Sequence, residues 1–227
     1  MKKIINYFTK TELLLWSISA LTIIVSFILF DRESYLTLAA SLTGITSLIF
    51  CAKGNPVGQV LMIIFSIIYT YISYTFSYYG EMLTYCGMTL PMAALSLVTW
   101  LKNPYKGKKS EVSVNKLKKK DIIKTVCYSI AVTAAFFFIL KSLETENLYV
   151  STLSVTTSFA AAYLTYKRSP YFALLYAMND LVLIALWIYA SIKDISYISV
   201  MICFCVFFIN DMYAFISWRK MEKRQIN

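Results

Sequence analysis

The feature that most constrains this chain is a series of eight apolar runs, each long enough to cross a lipid bilayer as one helix. The hydrocarbon core of a bilayer takes about 20 residues of α-helix. The runs cover residues 12–30, 34–52, 56–78, 83–101, 122–140, 148–166, 170–192 and 196–218. Only 15% of the 227 residues are charged, whereas soluble domains carry about 25%. The sequence therefore predicts an all-α polytopic membrane protein of about eight transmembrane helices.

Lysine and arginine divide unequally between the two sides of this predicted bundle. Nineteen of the 22 fall on the side that holds both chain ends, and the other side holds only Arg32, Lys141 and Lys193. Such a bias marks the cytoplasmic side, so both termini are predicted to be cytoplasmic in a multi-pass protein of the inner or plasma membrane. Because the basic residues lie in short loops and tails, membrane lipid is the predicted contact and nucleic acid is not.

Several kinds of chemistry are excluded by what the sequence lacks. It contains no histidine, the commonest metal ligand and general base, and it has no G-x-x-x-x-G-K-[ST] nucleotide loop. The five cysteines lie in or beside apolar runs and are predicted to be packing residues. We therefore predict no catalytic residue, no metal ligand and no cofactor.

The two halves of the chain share a pattern. A shift of 114 residues places the first three runs on the fifth, sixth and seventh, and pairs Pro56 with Pro170. After a four-residue drift, Trp100 pairs with Trp218. Four helices in each half predict parallel repeats related by an axis along the membrane normal. Transporters built from such repeats bind solute near mid-membrane, at the interface between the repeats.

Two of the runs carry the same polar dipeptide near their middle, Asn179-Asp180 and Asn210-Asp211. A carboxylate at that depth costs at least about 2.5 kcal/mol on insertion scales. These residues are therefore expected either to face a polar cavity that binds solute or to hydrogen-bond a neighbouring helix. The sequence leaves both alternatives open.

Aromatic residues stand at helical spacing from these dipeptides. Tyr176 and Trp187 share the helix of Asn179, and Tyr213 follows Asn210 by three residues. An aromatic wall beside amide groups suits a flat ring that bears a polar sugar. Three other tryptophans near the ends of runs are predicted to be anchors at the membrane interface: Trp16, Trp100 and Trp218.

Several short motifs carry a resemblance to a known family. The first half has Tyr79-Gly80-Glu81-Met82-Leu83, Leu90-Pro91-Met92 and Trp100-Leu101-Lys102, and the second half has Asn179 with Trp187 and then Asn210-Asp211-Met212-Tyr213. With these motifs the chain resembles the PnuC family of nicotinamide riboside (vitamin B3 precursor) transporters. The resemblance implies a SWEET-like fold, with two parallel three-helix bundles joined by a linker helix and assembled as a homotrimer.

The resemblance also implies how the chain divides. Residues 1–33 would form an N-terminal basic tail and an extra helix, 34–101 the first three-helix repeat, and 148–218 the second. Residues 122–147 would form the linker helix. The hydrophilic stretch 102–121 is expected to be a solvated, basic cytoplasmic loop, and 219–227 a cytoplasmic tail.

The function implied by the resemblance is facilitated diffusion of nicotinamide riboside by a uniporter, with uptake driven by a cytoplasmic kinase that phosphorylates the solute. Carried over by position, Asn179 and Asn210 would contact the ribose or the amide of the substrate. The other predicted substrate-binding residues are Tyr176, Trp187, Tyr213 and Asp180. The substrate carries a positive pyridinium ring, so aromatic faces would contribute about 0.5–2 kcal/mol of cation–π attraction.

Departures from the family pattern keep other substrates open. Ala93 stands where the family commonly has glutamine. Just ahead of Asn179, where the family usually has tryptophans, this chain has Tyr171, Phe172 and Tyr176. Relatives that move thiamine, riboflavin or deoxynucleosides therefore supply the alternative substrates.

Functions of other classes also compete with a carrier. An intramembrane aspartyl protease would use Asp180 and Asp211 as a pair sharing a proton. Neither aspartate follows the G-x-G pattern typical of such proteases. A channel or a solute-sensing receptor is a further alternative, which the sequence does not separate from a carrier.

Overall fold

The computed structural model describes residues 7–75, 79–145 and 147–226. Its helices are α1 Lys10–Phe30, α2 Tyr35–Ala52, α3 Val57–Thr75, α4 Tyr79–Thr84, α5 Leu90–Lys102, α6 Lys119–Ser142, α7 Leu148–Tyr166, α8 Tyr171–Lys193 and α9 Ile198–Ile226. A π-helical turn, Tyr85–Thr89, joins α4 to α5, and a 3₁₀ turn, Ile195–Tyr197, precedes α9. Two short strands, β1 Pro104–Tyr105 and β2 Lys108–Val112, pair antiparallel between α5 and α6.

The helices follow the eight predicted runs, with α4, the π turn and α5 forming one span. The predicted end of the third run, at residue 78, lies outside the described residues. Seven spans within the described residues are long and apolar enough to cross a membrane. The remaining span is helix α7, which begins and ends where the sequence predicted. Helix α9 continues to Ile226, beyond its predicted end at 218. The prediction of an all-α polytopic membrane fold is confirmed.

Helix α7 has lower hydropathy because it is rich in hydroxyl side chains. Thr152, Thr156, Ser158 and Thr165 each donate a hydrogen bond to a carbonyl of the preceding turn. A hydroxyl satisfied in this way lowers the mean hydropathy without leaving an unpaired polar group in the membrane. The helix packs between α6, α8 and α5, so it lies inside the bundle.

The spans form two three-helix bundles. Helices α2, α3 and α4–α5 make the first bundle, and α7, α8 and α9 make the second. The first helix of each bundle packs against the last helix of the other, α2 on α9 and α7 on α5. Such reciprocal packing of equivalent helices is what a two-fold axis along the membrane normal produces. The linker α6 packs on α7, and α1 packs on α2 and α9.

Two tryptophans at equivalent positions of the repeats make equivalent hydrogen bonds to the opposite bundle. Trp100 Nε1 donates to the carbonyl of Thr165 at 3.0 Å, and Trp218 Nε1 donates to the carbonyl of Cys51 at 2.8 Å. Cys51 and Thr165 are 114 positions apart, the shift of the repeat. The indoles are 1% and 0% exposed, and their ring centroids lie 5.4 Å apart. The prediction that these two tryptophans are interfacial anchors is therefore wrong; they hold the two bundles together.

Both described chain ends lie on one side of the bundle, which we call the basic face. It carries the turns at 53–56 and 167–170 and the hairpin β1–β2. Near the start of α1, the Tyr7 hydroxyl donates to the Ser110 carbonyl at 3.3 Å and accepts from Asn55 Nδ2 at 2.9 Å. The other side, the opposite face, carries the turns at 31–34 and 194–197.

The segment that begins at Val112, the last residue of β2, docks across the two halves of the basic face. The backbone N–H of Val112 donates to Gly54 O at 2.9 Å, and that of Asn115 donates to Arg168 O at 3.0 Å. Gly54 and Arg168 are again 114 positions apart and have φ angles of 64° and 57°. The segment therefore bridges equivalent turns of the two repeats.

The prediction that residues 102–121 form a solvated loop is wrong for this segment. Val112 is 0% exposed, and Val112, Val114 and Leu117 pack into the apolar cluster around the paired tryptophans. Gln225 of α9 donates to Val112 O and accepts from the N–H of Val114. The many lysines of the segment obscured its apolar residues, which turn inward.

Candidate functional site

A central cavity of ≈ 130 Å³ lies between the two bundles. The first bundle contributes the carboxyl of Glu81, just inside α4, to its polar lining. The second contributes Ser154 of α7, Asn179 and Asp180 of α8, and Asp211 of α9. A cavity built from both repeats is where solute sites occur in transporters with parallel repeats.

Asn179 is held in one orientation by the hydroxyl-rich helix α7. Ser154 Oγ and Thr157 Oγ1 both donate to Asn179 Oδ1, at 2.9 Å and 2.8 Å. An amide oxygen that accepts two hydrogen bonds fixes the amide against flipping. The NH2 group is therefore directed away from the two hydroxyls, as a preoriented donor.

Asp180 and Asp211 bring their carboxyl groups together across α8 and α9. The two residues are only 4% and 3% exposed. Asp180 Oδ2 and Asp211 Oδ1 have no hydrogen-bonding partner in the described part of the chain. Among the described residues that line this cavity there are three carboxyl side chains, counting Glu81, and neither a lysine nor an arginine. The cavity therefore offers acidic groups without a built-in cation.

An aromatic wall faces these carboxyl groups. Phe65 and Tyr85 come from the first bundle, and Phe204 and Phe207 from the second. The ring of Phe65 packs edge-on against Tyr85 at 5.8 Å and against Phe207 at 6.2 Å. A Cβ atom on Gly44 would lie 2.6 Å from Phe207 Cζ, so the glycine allows the ring to lie against the backbone of α2.

A second cavity of ≈ 120 Å³, the outer cavity, lies between the central one and the opposite face. Glu81 lines both cavities, and Asp31 and Asp194 line the outer one. The backbone N–H of Ser196 donates to Asp194 Oδ1 at 2.9 Å, which lowers the pKa of this carboxyl and keeps it ionised near neutral pH. The route from the opposite face to the central cavity is therefore acidic.

An inner cavity of ≈ 20 Å³ continues toward the basic face. Tyr176 lines both this cavity and the central one, and Gln59 and Ala93 line the inner one. Below it, the ring of Phe172 packs edge-on against Trp218 at 5.0 Å. The three cavities form a series that reaches the opposite face and is closed by aromatic packing toward the basic face.

The structure places three of the six predicted substrate-binding residues in the central cavity: Tyr176, Asn179 and Asp180. Their common helix, α8, crosses the middle of the second bundle with this face turned toward the first. Ala93, the residue that departs from the family pattern, is 5% exposed in the inner cavity.

The other three predicted residues lie elsewhere. Asn210 Nδ2 donates to Ser19 Oγ at 2.9 Å and to its own helix backbone, so in this conformation it ties α9 to α1. Trp187 lines the outer cavity, where its buried Nε1 has no partner in the described part of the chain. Tyr213 lies beside Glu12 near the start of α1. The structure does not bring these three to the central cavity.

Sequence reasoning missed several residues of the cavity. Glu81 is the one acidic residue in the span Gly80–Lys102, and an ionisable residue inside a membrane is a functional signal by itself. Tyr85 belongs to the π-helical turn, a feature frequent at functional sites. Phe65 and Phe204 had no signal that distinguished them from the other apolar residues of their helices.

A polytopic bundle with a series of cavities between two parallel repeats is the architecture of a membrane transporter. Comparison with known proteins agrees, and residues 34–220 match one family model. The chain belongs to the nicotinamide mononucleotide transporter family. The family confirms the resemblance found in the sequence and the prediction of a transporter rather than an enzyme, so the aspartyl protease is set aside.

Two relatives show the extent of the similarity. Over 213 residues the chain is 25% identical to the nicotinamide riboside transporter PnuC of Neisseria mucosa, covering 92% of this chain and 81% of that protein. Its fold is similar to a crystal structure of the vitamin B3 transporter PnuC, with a TM-score of 0.82 and 24% identity. That match covers 96% of this chain and 94% of the other.

Proposed function

We propose that this protein imports nicotinamide riboside across the inner or plasma membrane by facilitated diffusion. The observation that carries the proposal is the central cavity, where acidic and aromatic side chains meet and where no described residue of the lining is basic. A cation with a flat ring and a polar sugar complements such a lining. The N. mucosa relative, named for this substrate, adds support.

The geometry supports a specific arrangement of the substrate. The pyridinium ring would lie against the wall formed by Phe65, Tyr85 and Phe207, for about 0.5–2 kcal/mol of cation–π attraction. Its charge would face Asp180, and the preoriented NH2 group of Asn179 would donate to a ribose hydroxyl or to the carboxamide oxygen. Specificity of this kind comes from a few placed polar groups in an apolar site.

Transport requires the cavity to change shape. The central cavity, at ≈ 130 Å³, is smaller than the roughly 300 Å³ at the lower end of ligand pockets. We propose that the two bundles rock against each other around the site. Release on the basic face then requires separation of the aromatic contacts around Trp100 and Trp218. The excess of lysine and arginine on that face favours a cytoplasmic position for it and for both termini.

We further propose that uptake is driven by a cytoplasmic kinase that traps the solute as its phosphate ester, and that the protein assembles as a homotrimer. Both proposals rest on the resemblance to the PnuC family. Light scattering of the detergent-solubilised protein tests the second: a protein mass of three chains is expected, and a mass of one chain would refute it.

Thiamine is the second candidate substrate, because its thiazolium ring is also a flat cation. Riboflavin and deoxynucleosides are neutral at pH 7 and would gain no charge attraction from the carboxyl groups of the cavity. The acidic lining therefore favours the two cationic solutes over the neutral ones.

Calorimetric titration of the purified protein with nicotinamide riboside, thiamine, riboflavin and deoxyadenosine tests the proposal. We expect binding of nicotinamide riboside, and uptake of the same solute by proteoliposomes. Replacing Asn179 with alanine should weaken binding by about 1–3 kcal/mol, the cost of leaving a buried polar group unpaired. Asn103→Ala is the control, because Asn103 caps α5 on the basic face, away from the central cavity, and its side-chain amide donates to the Thr99 carbonyl of its own helix. Heat from none of the four solutes would refute the assignment.

A further inference from the structure

We propose that binding of the cationic substrate displaces one proton from the Asp180–Asp211 pair, so that the positive charge of the bound solute is balanced inside the site. The inference rests on the proposed function, because it requires a solute that carries a fixed positive charge. It goes further in assigning the charge balance of the site to two particular side chains.

The surroundings of the pair provide no basic side chain that could balance a carboxylate, within the described lining of the cavity. The two carboxyl groups contact each other, and each has one buried oxygen without a partner in the described part of the chain. The titratable groups that face the pair from α2, the π turn, α8 and α9 are all acids: Cys51, Tyr85, Tyr176, Cys203 and Cys205. Glu81 of α4, also an acid, lines the same cavity. No described lining residue of the cavity is a lysine or an arginine.

A buried carboxylate without a counter-charge is strongly disfavoured in a low-dielectric interior. The empty site is therefore neutral, with a proton on each of the two carboxyl groups. When the cation arrives, one carboxyl O–H bond breaks and its proton leaves to water. The remaining proton bridges Asp180 and Asp211, which together carry one negative charge beside the positive ring. The net charge of the site stays at zero, and no electrons are transferred.

This displacement of a proton has two measurable consequences. Because one proton is released for each cation bound, mass action lowers the apparent Kd tenfold for each unit of rising pH in the range where the empty pair is protonated. The reduced, dihydropyridine form of the substrate has nearly the same shape but is neutral. Its binding should release no proton and should not depend on pH in this way.

The test is calorimetry of the purified wild-type protein in three buffers of equal pH and different ionisation enthalpy. The slope of the observed heat against the buffer enthalpy counts the protons released. We expect one proton for nicotinamide riboside and none for its reduced form. Asp180→Asn and Asp211→Asn should abolish the release, whereas Glu81→Gln, which changes a carboxyl of the same cavity outside the pair, should retain it.

The possible failures can be distinguished. Binding of nicotinamide riboside without proton release would overturn the proton displacement and leave the proposed function standing. Absence of binding would overturn the proposed function and the proton displacement together. Release that survives in both aspartate variants but disappears in Glu81→Gln would overturn the assignment to the pair. The wild-type comparison of the two solutes needs no variant, so misfolding of a variant would not prevent a decision.

Discussion

Replacing Trp218 with phenylalanine should destabilise the contact between the two bundles. The change removes the hydrogen bond from Trp218 Nε1 to the Cys51 carbonyl, at 2.8 Å. That carbonyl also accepts the backbone N–H of Gly54 at 2.9 Å, so it is not left without a partner. The same change at Trp100 removes the equivalent hydrogen bond to Thr165. Because the two tryptophans are related by the repeat, the two substitutions should lower the free energy of unfolding by similar amounts.

The magnitude follows from two contributions. A buried hydrogen bond whose acceptor keeps another donor is worth about 1 kcal/mol net. The smaller ring leaves about 40 Å³ of space, which at about 24 cal/mol per Å³ adds about 1 kcal/mol. We therefore expect each of Trp218→Phe and Trp100→Phe to lower the free energy of unfolding by about 2 kcal/mol. Since the two rings touch, the double variant should deviate from the sum of the single ones.

Circular dichroism during equilibrium unfolding in mixed detergent and SDS micelles measures this loss. Trp16→Phe is the matched control, because Trp16 is 38% exposed and donates to the hydroxyl of Thr46 on the neighbouring helix. The Trp16→Phe variant should lower the free energy of unfolding by less than about 1 kcal/mol. Equal losses at all three tryptophans, or no loss at Trp100 and Trp218, would refute the role of the buried pair.

Two further variants test the walls of the cavity. Thr157→Val removes one of the two hydroxyls that orient Asn179, so the KM of uptake should rise roughly 2- to 10-fold, the equivalent of one hydrogen bond. Thr43→Val, 114 positions earlier, changes a hydroxyl that bonds its own helix and should leave KM unchanged; equal effects would contradict the argument. Gly44→Ala would press a methyl group against Phe207. It should lower the free energy of unfolding by about 1–3 kcal/mol and reduce uptake, and wild-type behaviour in both assays would show that the ring moves without cost.

Much of the fold could be predicted because a bilayer imposes requirements on each spanning segment that depend only on the residues of that segment. A segment that spans it must be helical, apolar and about 20 residues long, and these properties can be read along the chain. The bounds of α7 and the pairing of Pro56 with Pro170 at the starts of α3 and α8 followed from these requirements and from the repeat. The segment around Val112 did not, because its few apolar residues stand among lysines and only the surface they cover shows that they are buried.

The site could be predicted only in part, for a geometric reason. Helical spacing shows that Tyr176, Asn179 and Asp180 share a region of α8, and this region does face the cavity. The same reasoning grouped Asn210 with Tyr213, yet α1 packs over that side of α9 and Ser19 binds the amide. Spacing along a helix relates residues to one another but does not show which neighbouring helix each face meets.

The sequence by itself determined that this protein lies in a lipid bilayer, how many spans it has, that they are duplicated, and on which side the basic residues accumulate. These follow from hydropathy and charge, which are sums over neighbouring residues. Only the tertiary structure decided that two tryptophans join the repeats, that the basic loop docks across both of them, and that Asp180 meets Asp211. Each of these contacts joins residues distant along the chain, and their meeting depends on how the helices pack around one another.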